Sequence, residues 1–114
     1  MENVTDIPSV VGVDTVPWVE LRPGVDICRL FGDGRVGASA ALLKYEPGAR
    51  IPEHLHLGVE IIFIVRGSQT DGEGTIVANQ VKVNSPGSRH AVMSQTGCVA
   101  LLVWQAPVSF EDRA

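Results

Sequence analysis

Twelve glycines and seven prolines, joined by asparagine and aspartate, cut this 114-residue chain into runs too short for a stable helix. Between those breaks lie segments rich in β-branched and apolar residues: Val25 to Phe31, Ala38 to Tyr45, Val59 to Arg66, Cys98 to Trp104, and shorter runs at Thr75 to Ala78 and Val81 to Asn84. Arg22-Pro23-Gly24, Gly32-Asp33-Gly34, Glu46-Pro47-Gly48 and Ser85-Pro86-Gly87-Ser88 read as turns, and Gly67 to Gly74 as a polar loop or wide turn. About eight short strands with no credible long helix predict an all-β barrel or sandwich. Residues 1–16 lack a helical period and are expected as an N-terminal arm or edge strand, 17–106 as the β-barrel domain, and 107–114 as a C-terminal tail.

All three histidines of the chain fall in one constellation: His54-Leu55-His56, Glu60 four residues later, and a distant His90 after Gly87-Ser88-Arg89. Successive side chains of a strand point to opposite faces, so His54 and His56 share a face and one ion can reach both rings. Gly58 suits a turn or bulge that lets Glu60 open the next strand toward the same interior, with His90 arriving from a distant strand to complete the set. Three neutral imidazoles and one carboxylate suit zinc, iron, manganese, nickel or copper. Calcium and magnesium, which want mostly oxygen, are disfavoured. The expected cofactor is one divalent transition metal per chain, zinc or iron first and manganese or nickel next, held by His54, His56, Glu60 and His90.

Composition narrows the partners. A formal net charge of −4, with Lys and Arg scattered, argues against nucleic acid, because phosphate binding needs a basic surface. No apolar run approaches membrane-spanning length. No Lys or Arg precedes Arg22, so no charged leader is expected and the cytoplasm is the expected address. Cys28 and Cys98, with no CxxC and no place beside the histidines, are expected as reduced core residues. Arg50 shares strand parity with His54, and Arg66 with Glu60, which could bring a guanidinium to the barrel mouth, although a solvated strand-end charge is the default. Phe31, Phe63, Met93 and Trp104 are expected in the core or lining a cavity.

The pattern Gly48…His54-x-His56…Glu60…Gly67 resembles the first signature of the cupin superfamily, and Gly87-x-x-His90 resembles the core of the second. The second signature departs in carrying Ser85 before Pro86 and Ser94 where asparagine is usual. Pro23-Gly24-Val25, Leu43 with Pro47-Gly48-Ala49, Arg66-Gly67-Ser68 with Asp71, and Ser85 to His90 running on to Gly97-Cys98 carry a closer resemblance to the ChrR-type cupins. That family includes the cupin domain of zinc-binding anti-sigma factors and is similar to acetylacetone-cleaving dioxygenases. The resemblance implies a single-domain cupin jelly-roll β-barrel, a mononuclear metal at His54, His56, Glu60 and His90, and a homodimer. Residues 1–22 contain neither His nor Cys, so the zinc-binding domain that grips the sigma factor is not expected within them. The acetylacetone-cleaving enzymes use three histidines, and Glu60 is a departure from them.

Two functions of different class follow. The first is a metal-dependent enzyme, possible as a dioxygenase, acting on or binding a small oxygenated molecule such as a β-dicarbonyl or keto acid: four ligands on an octahedral ion leave two positions open. No Gly-x-Ser-x-Gly, catalytic cysteine pair or spare histidine suggests a separate nucleophile. The second is a non-catalytic zinc- or small-ligand-sensing module, in which the same residues close a tetrahedral site. The runs Ile61 to Val65 and Leu101 to Val103, apolar on both faces, favour a homodimer that covers the outer face.

Overall fold

The computed structural model describes residues 15–110, so most of the expected N-terminal arm and the last four residues lie outside it. Ten strands form among the described residues: β1 (Val19–Arg22), β2 (Val25–Phe31), β3 (Ser39–Tyr45), β4 (Arg50–His56), β5 (Glu60–Asp71), β6 (Gly74–Val77), β7 (Val81–Asn84), β8 (Arg89–Met93), β9 (Cys98–Trp104) and β10 (Val108–Ser109). The hydrogen-bonded order is β1-β2-β3-β9-β5-β8-β4-β10, with β6 and β7 added on β5, and every pairing is antiparallel. The sheet curls strongly enough that its two ends approach, with the Arg22 guanidinium carbon of β1 5.1 Å from the centroid of the Phe110 ring just after β10. The described residues form a single all-β domain whose sheet curls into a half-barrel.

The turn-bounded runs Val25–Phe31, Val81–Asn84 and Cys98–Trp104 form strands with the bounds expected of them. The polar stretch after Gly67 does not form a loop. β5 continues through it to Asp71, and only Gly72 and Glu73 separate it from β6. Gly67 signals a turn in the sequence but serves a close approach here: its φ is +83°, and a Cβ on it would lie 2.0 Å from the Gly97 carbonyl oxygen. Two positions before Gly67, β5 carries a bulge, since Ile64 pairs with Ala100 and Arg66 with Val99, leaving Val65 as the extra residue. Inward parity therefore changes along β5, from Glu60, Ile62 and Ile64 before the bulge to Gln69 and Asp71 after it.

A second bulge does the same to β4, where Ile51 pairs with Val92 and His54 with His90. Pro52 and Glu53 bulge outward, and Pro52 has no N–H for a ladder to lose. The two bulges turn both arginines away from the barrel mouth: Arg50 is exposed on the outward side, as the solvated default has it, and Arg66 lines a separate depression beside Asp26 and Glu46.

The core is built from inward columns: Val25 and Ile27, then Ala41, Leu43 and Tyr45, then Cys98, Ala100 and Leu102, closed by Ile62, Ile64, Ile51 and Val92. Cys28 and Cys98 are buried and unpaired, and burial raises the Cys98 thiol to about 12, so it stays protonated and inert. At one end of the barrel the columns turn polar. Ser39 pairs with Trp104, Trp104 with Glu60, and Glu60 with Asn84, so a single row crosses β3, β9, β5 and β7.

Gly67→Ala should destabilise the protein far more than Gly48→Ala. Both sites have positive φ, worth about 1–2 kcal/mol against a Cβ, but a Cβ at Gly48 meets nothing within 4 Å. Urea unfolding of the two variants checks this; equal losses would show that the Gly97 approach relaxes freely.

Candidate metal centre

β4 and β8 bring the histidines together. His54 and His90 are direct cross-strand partners, and His56 lies two residues along the same face. The three rings meet edge to face, with centroids 5.1 Å apart for His54 and His56, 4.7 Å for His54 and His90, and 4.6 Å for His56 and His90. All three are buried, and one ring nitrogen from each lies within 4.8 Å of the others. The turn before β8 is tied to β4 by backbone bonds from His56 N–H to the Ser88 carbonyl (2.9 Å) and from Gly87 N–H to the His56 carbonyl (2.7 Å). Gly58 permits the tight passage from His56 to Glu60, because a Cβ there would come within 3.0 Å of Ala106 and Gln105.

Every imidazole has its Nδ1 engaged on the side away from the centre. His54 Nδ1 donates to the Pro52 carbonyl (2.9 Å), and His90 Nδ1 donates to Asp71 Oδ2 (2.9 Å). Ser88 Oγ gives its own proton to the Ser85 carbonyl (2.5 Å), so at 2.9 Å it accepts from His56 Nδ1. The tautomer is set in all three rings: Nδ1 carries the proton and Nε2 presents a lone pair. His56 Nε2 and His90 Nε2 are buried with no hydrogen-bond partner, and each faces Glu60 Oε1, at 3.1 and 3.7 Å. Lone pairs opposed to a carboxylate oxygen in a buried site require a positive charge between them. A divalent ion or a proton supplies it, and the histidine cluster is fitted to hold a metal.

Glu60 stands beside this cluster with both oxygens occupied: Asn84 Nδ2 donates to Oε1 (2.9 Å) and Trp104 Nε1 to Oε2 (2.6 Å). Both donors are its neighbours in the polar row. Burial alone would raise the Glu60 pKa, but its pairing with the His56 ring and the bonds from Asn84 and Trp104 outweigh it, holding the carboxyl below its usual 4.5. Behind His90, burial likewise opposes ionisation of Asp71, while bonds from Lys82 and His90 prevail and bring it to about 2. Asp71 is therefore a fixed anion that orients His90. Strict alternation from Glu60 would turn Asp71 outward; only the Val65 bulge explains its position.

The centre opens into a cavity of about 300 Å³ lined in part by His54, Glu60, His90, Tyr45, Trp104 and Arg22. Phe110 stands against His54, with ring centroids 5.3 Å apart. The segment read as the C-terminal tail thus begins with β10 paired to His56 and Leu55, then lays Phe110 over the site. Its composition is polar, and two apolar positions, Val108 and Phe110, were the available signal.

A curled antiparallel sheet with converged histidines at one end of its interior defines a cupin with a buried site able to hold a metal. The chain belongs to the ChrR cupin-like domain family, whose pattern it matches over residues 7–109. It is 26% identical over 102 residues to the anti-sigma-E factor ChrR of Cereibacter sphaeroides, a match covering 88% of this chain and 47% of that protein. The chain thus spans about half the length of this curated relative. Among solved structures, the acetylacetone dioxygenase of Acinetobacter johnsonii superposes with a TM-score of 0.76 at 19% identity, over 83% of this chain and 72% of its own. ChrR in complex with SigE from Rhodobacter sphaeroides gives 0.71 at 24% identity, over 81% and 50%.

Acidification should release metal. Burial is the chief cause that holds His54 below the usual imidazole value of 6.5, with repulsion from His90 adding and the Pro52 carbonyl opposing. For a depressed histidine, stability is complete above the unfolded value and is lost as pH falls through the lower folded one. Competition between proton and metal has the same sign. The melting-temperature advantage of metal-loaded over metal-free protein should therefore shrink below about pH 6; an advantage constant down to about pH 4.5 would exclude imidazole ligation.

Proposed function

We propose that His54, His56, Glu60 and His90 hold one divalent transition ion, zinc or iron before manganese or nickel, and that the adjoining cavity binds a small oxygenated molecule at that ion. The observation that carries this reading is the forced tautomer set, which directs unpartnered Nε2 atoms toward Glu60 Oε1. Glu60 keeps lone pairs beyond its bonds to Asn84 and Trp104, and a carboxylate completes a histidine site of mixed nitrogen and oxygen character. When bound, the ion acts as a Lewis acid that polarises a carbonyl or enolate oxygen.

The residues of this chain supply the surroundings. Ile27, Leu43, Ile62 and Leu102 give the cavity apolar walls, which strengthen polar interactions within it. Tyr45, whose pKa burial raises above the usual 10.0, remains a phenol whose oxygen accepts from Gln69 Nε2 (3.2 Å) and whose proton is available to a ligand. A β-dicarbonyl or keto acid fits this chemistry, and the fold shared with an acetylacetone dioxygenase supports a dioxygenase reading when the ion is iron. The kinship with the anti-sigma-E factor ChrR supports a second reading, a sensing module in which the four residues saturate a tetrahedral zinc.

Metal analysis of protein purified without added metal tests the centre, with about one ion per chain expected from a single closed donor set. His56→Ala should lose the ion more severely than Glu60→Gln, because a carboxamide oxygen remains a weak ligand. Equal retention by the two variants would contradict the assignment. Spectroscopic coordination number then separates the readings: four protein donors with no exchangeable position supports the sensor, and open positions support the enzyme.

We also propose that a second copy covers the outer face of β7, β5 and β9. Val81, Val83, Ile61 and Val103 are exposed there as cross-strand neighbours, with Phe63 and Leu101 half-buried between them. The outward positions of these three strands form an apolar patch, and a two-fold dimer uses one such patch from each copy. Sedimentation at micromolar concentration should return a dimer that Val83→Glu converts to monomer. Wild-type monomer would refute it.

A further inference from the structure

The geometry points to Arg22 as the recognition element for a carboxylate on the cavity's ligand, which makes that ligand a short-chain oxo- or hydroxy-acid anion rather than a neutral dicarbonyl. This rests on the metal-centre reading above and narrows its ligand class. Arg22 ends β1, and its pairing with Val25 turns it to the same interior as the core. It lines the cavity that also exposes His54, Glu60 and His90. Its Nε is buried without a hydrogen-bond acceptor, and no carboxylate among the described residues forms an ion pair with it.

A guanidinium is always charged and offers five donors in a planar fork shaped for a carboxylate. Leaving such a group half-buried and unmatched is unfavourable unless an anion completes it. Glu60 does not serve, because Asn84 and Trp104 hold its oxygens and Oε1 faces the histidines. The guanidinium instead lies over the face of Phe110 at 5.1 Å, and the ring of His54 is 5.3 Å from the same Phe110. A single aromatic ring thus touches both the guanidinium and the His54 imidazole. A molecule of a few carbons spans the interval between them, with one end at Arg22 and an oxygen toward the histidines. Arg29 lines the same cavity from the adjacent strand and adds positive charge at its mouth, which favours an anion further.

Pyruvate and 2,3-butanedione test the charge preference, since they match in size and in their two adjacent oxygens and differ chiefly by one negative charge. Calorimetric titration of zinc-loaded protein should show pyruvate binding at least tenfold tighter than butanedione. In Arg22→Gln that difference should vanish, with butanedione affinity and zinc content unchanged, and Arg22→Lys should restore part of it. Equal affinities in the wild type, or a preference that survives Arg22→Gln, would overturn the inference, as would equal weakening of both probes. Zinc content is measured first on the same samples. Protein that holds no zinc defeats the metal centre instead, and the preference is then read on the zinc-free chain, where Arg22 must still favour pyruvate.

Discussion

The close approach of Gly67 to the Gly97 carbonyl is the constraint on which the rest of this fold depends. β5 is shared by two parts of the sheet: its first half pairs with β7 and β9, its second with β6 and β8. A strand can change partners only where its backbone bends, and a bulge followed by a residue with positive φ provides that bend. At Gly67 the Ser68 N–H reaches the Gly97 oxygen at 3.2 Å, a separation that leaves no room for a side chain between the backbones. The bend carries β8 and β4 around to face the start of β5. Without it Glu60 and His90 would lie on a flatter sheet with no enclosed interior between them.

Enclosure then makes the polar groups expensive unless each is matched, and the matching is directional. Pro52, Ser88 and Asp71 accept from the outer ring nitrogens, while Asn84 and Trp104 donate to the carboxylate. The arrangement leaves electron pairs concentrated at the centre and neutralised nowhere else. The partners come from ordinary cross-strand neighbours: Trp104 and Asn84 flank Glu60 in one row, and Ser88 belongs to the turn whose backbone is bonded to His56. Register alone thus positions much of the site, and the loops contribute one hydroxyl.

What could be read from the sequence follows from the same physics. His54, His56 and His90 were legible because period two within a strand and their scarcity in the chain leave few alternatives, and the strands flanked by Pro-Gly or Gly-Asp-Gly turns were legible in their bounds. Bulges were not legible. Period-two parity assumes an unbroken ladder, so it gave Arg50 and Arg66 the parity of His54 and Glu60 and had no way to bring Asp71 behind His90; one extra residue at Val65 and another in Pro52-Glu53 reverse that parity. The continuation of β5 past Gly67 was hidden for a related reason, since a glycine required by close approach has the same composition signal as one required by a turn. β10 was hidden because two residues are too few to show a period at all.

A chain with a net charge of −4 nonetheless places two guanidinium groups, Arg22 and Arg29, on the lining of its interior cavity. Among the described residues, the ends β1 and β10 approach through side chains, with Arg22 on Phe110. An edge closed by a cation on an aromatic face is weaker than a ladder of backbone bonds. Neither Arg22 nor Phe110 belongs to the buried core columns, which rest on other residues. The same Phe110 ring also leans on His54, so one aromatic side chain packs against both the guanidinium and the nearest edge of the histidine cluster it touches. If the cavity takes an anion, as proposed, the residue at the sheet's edge is also the one that selects it, because Arg22 lines the cavity that exposes His54, Glu60 and His90.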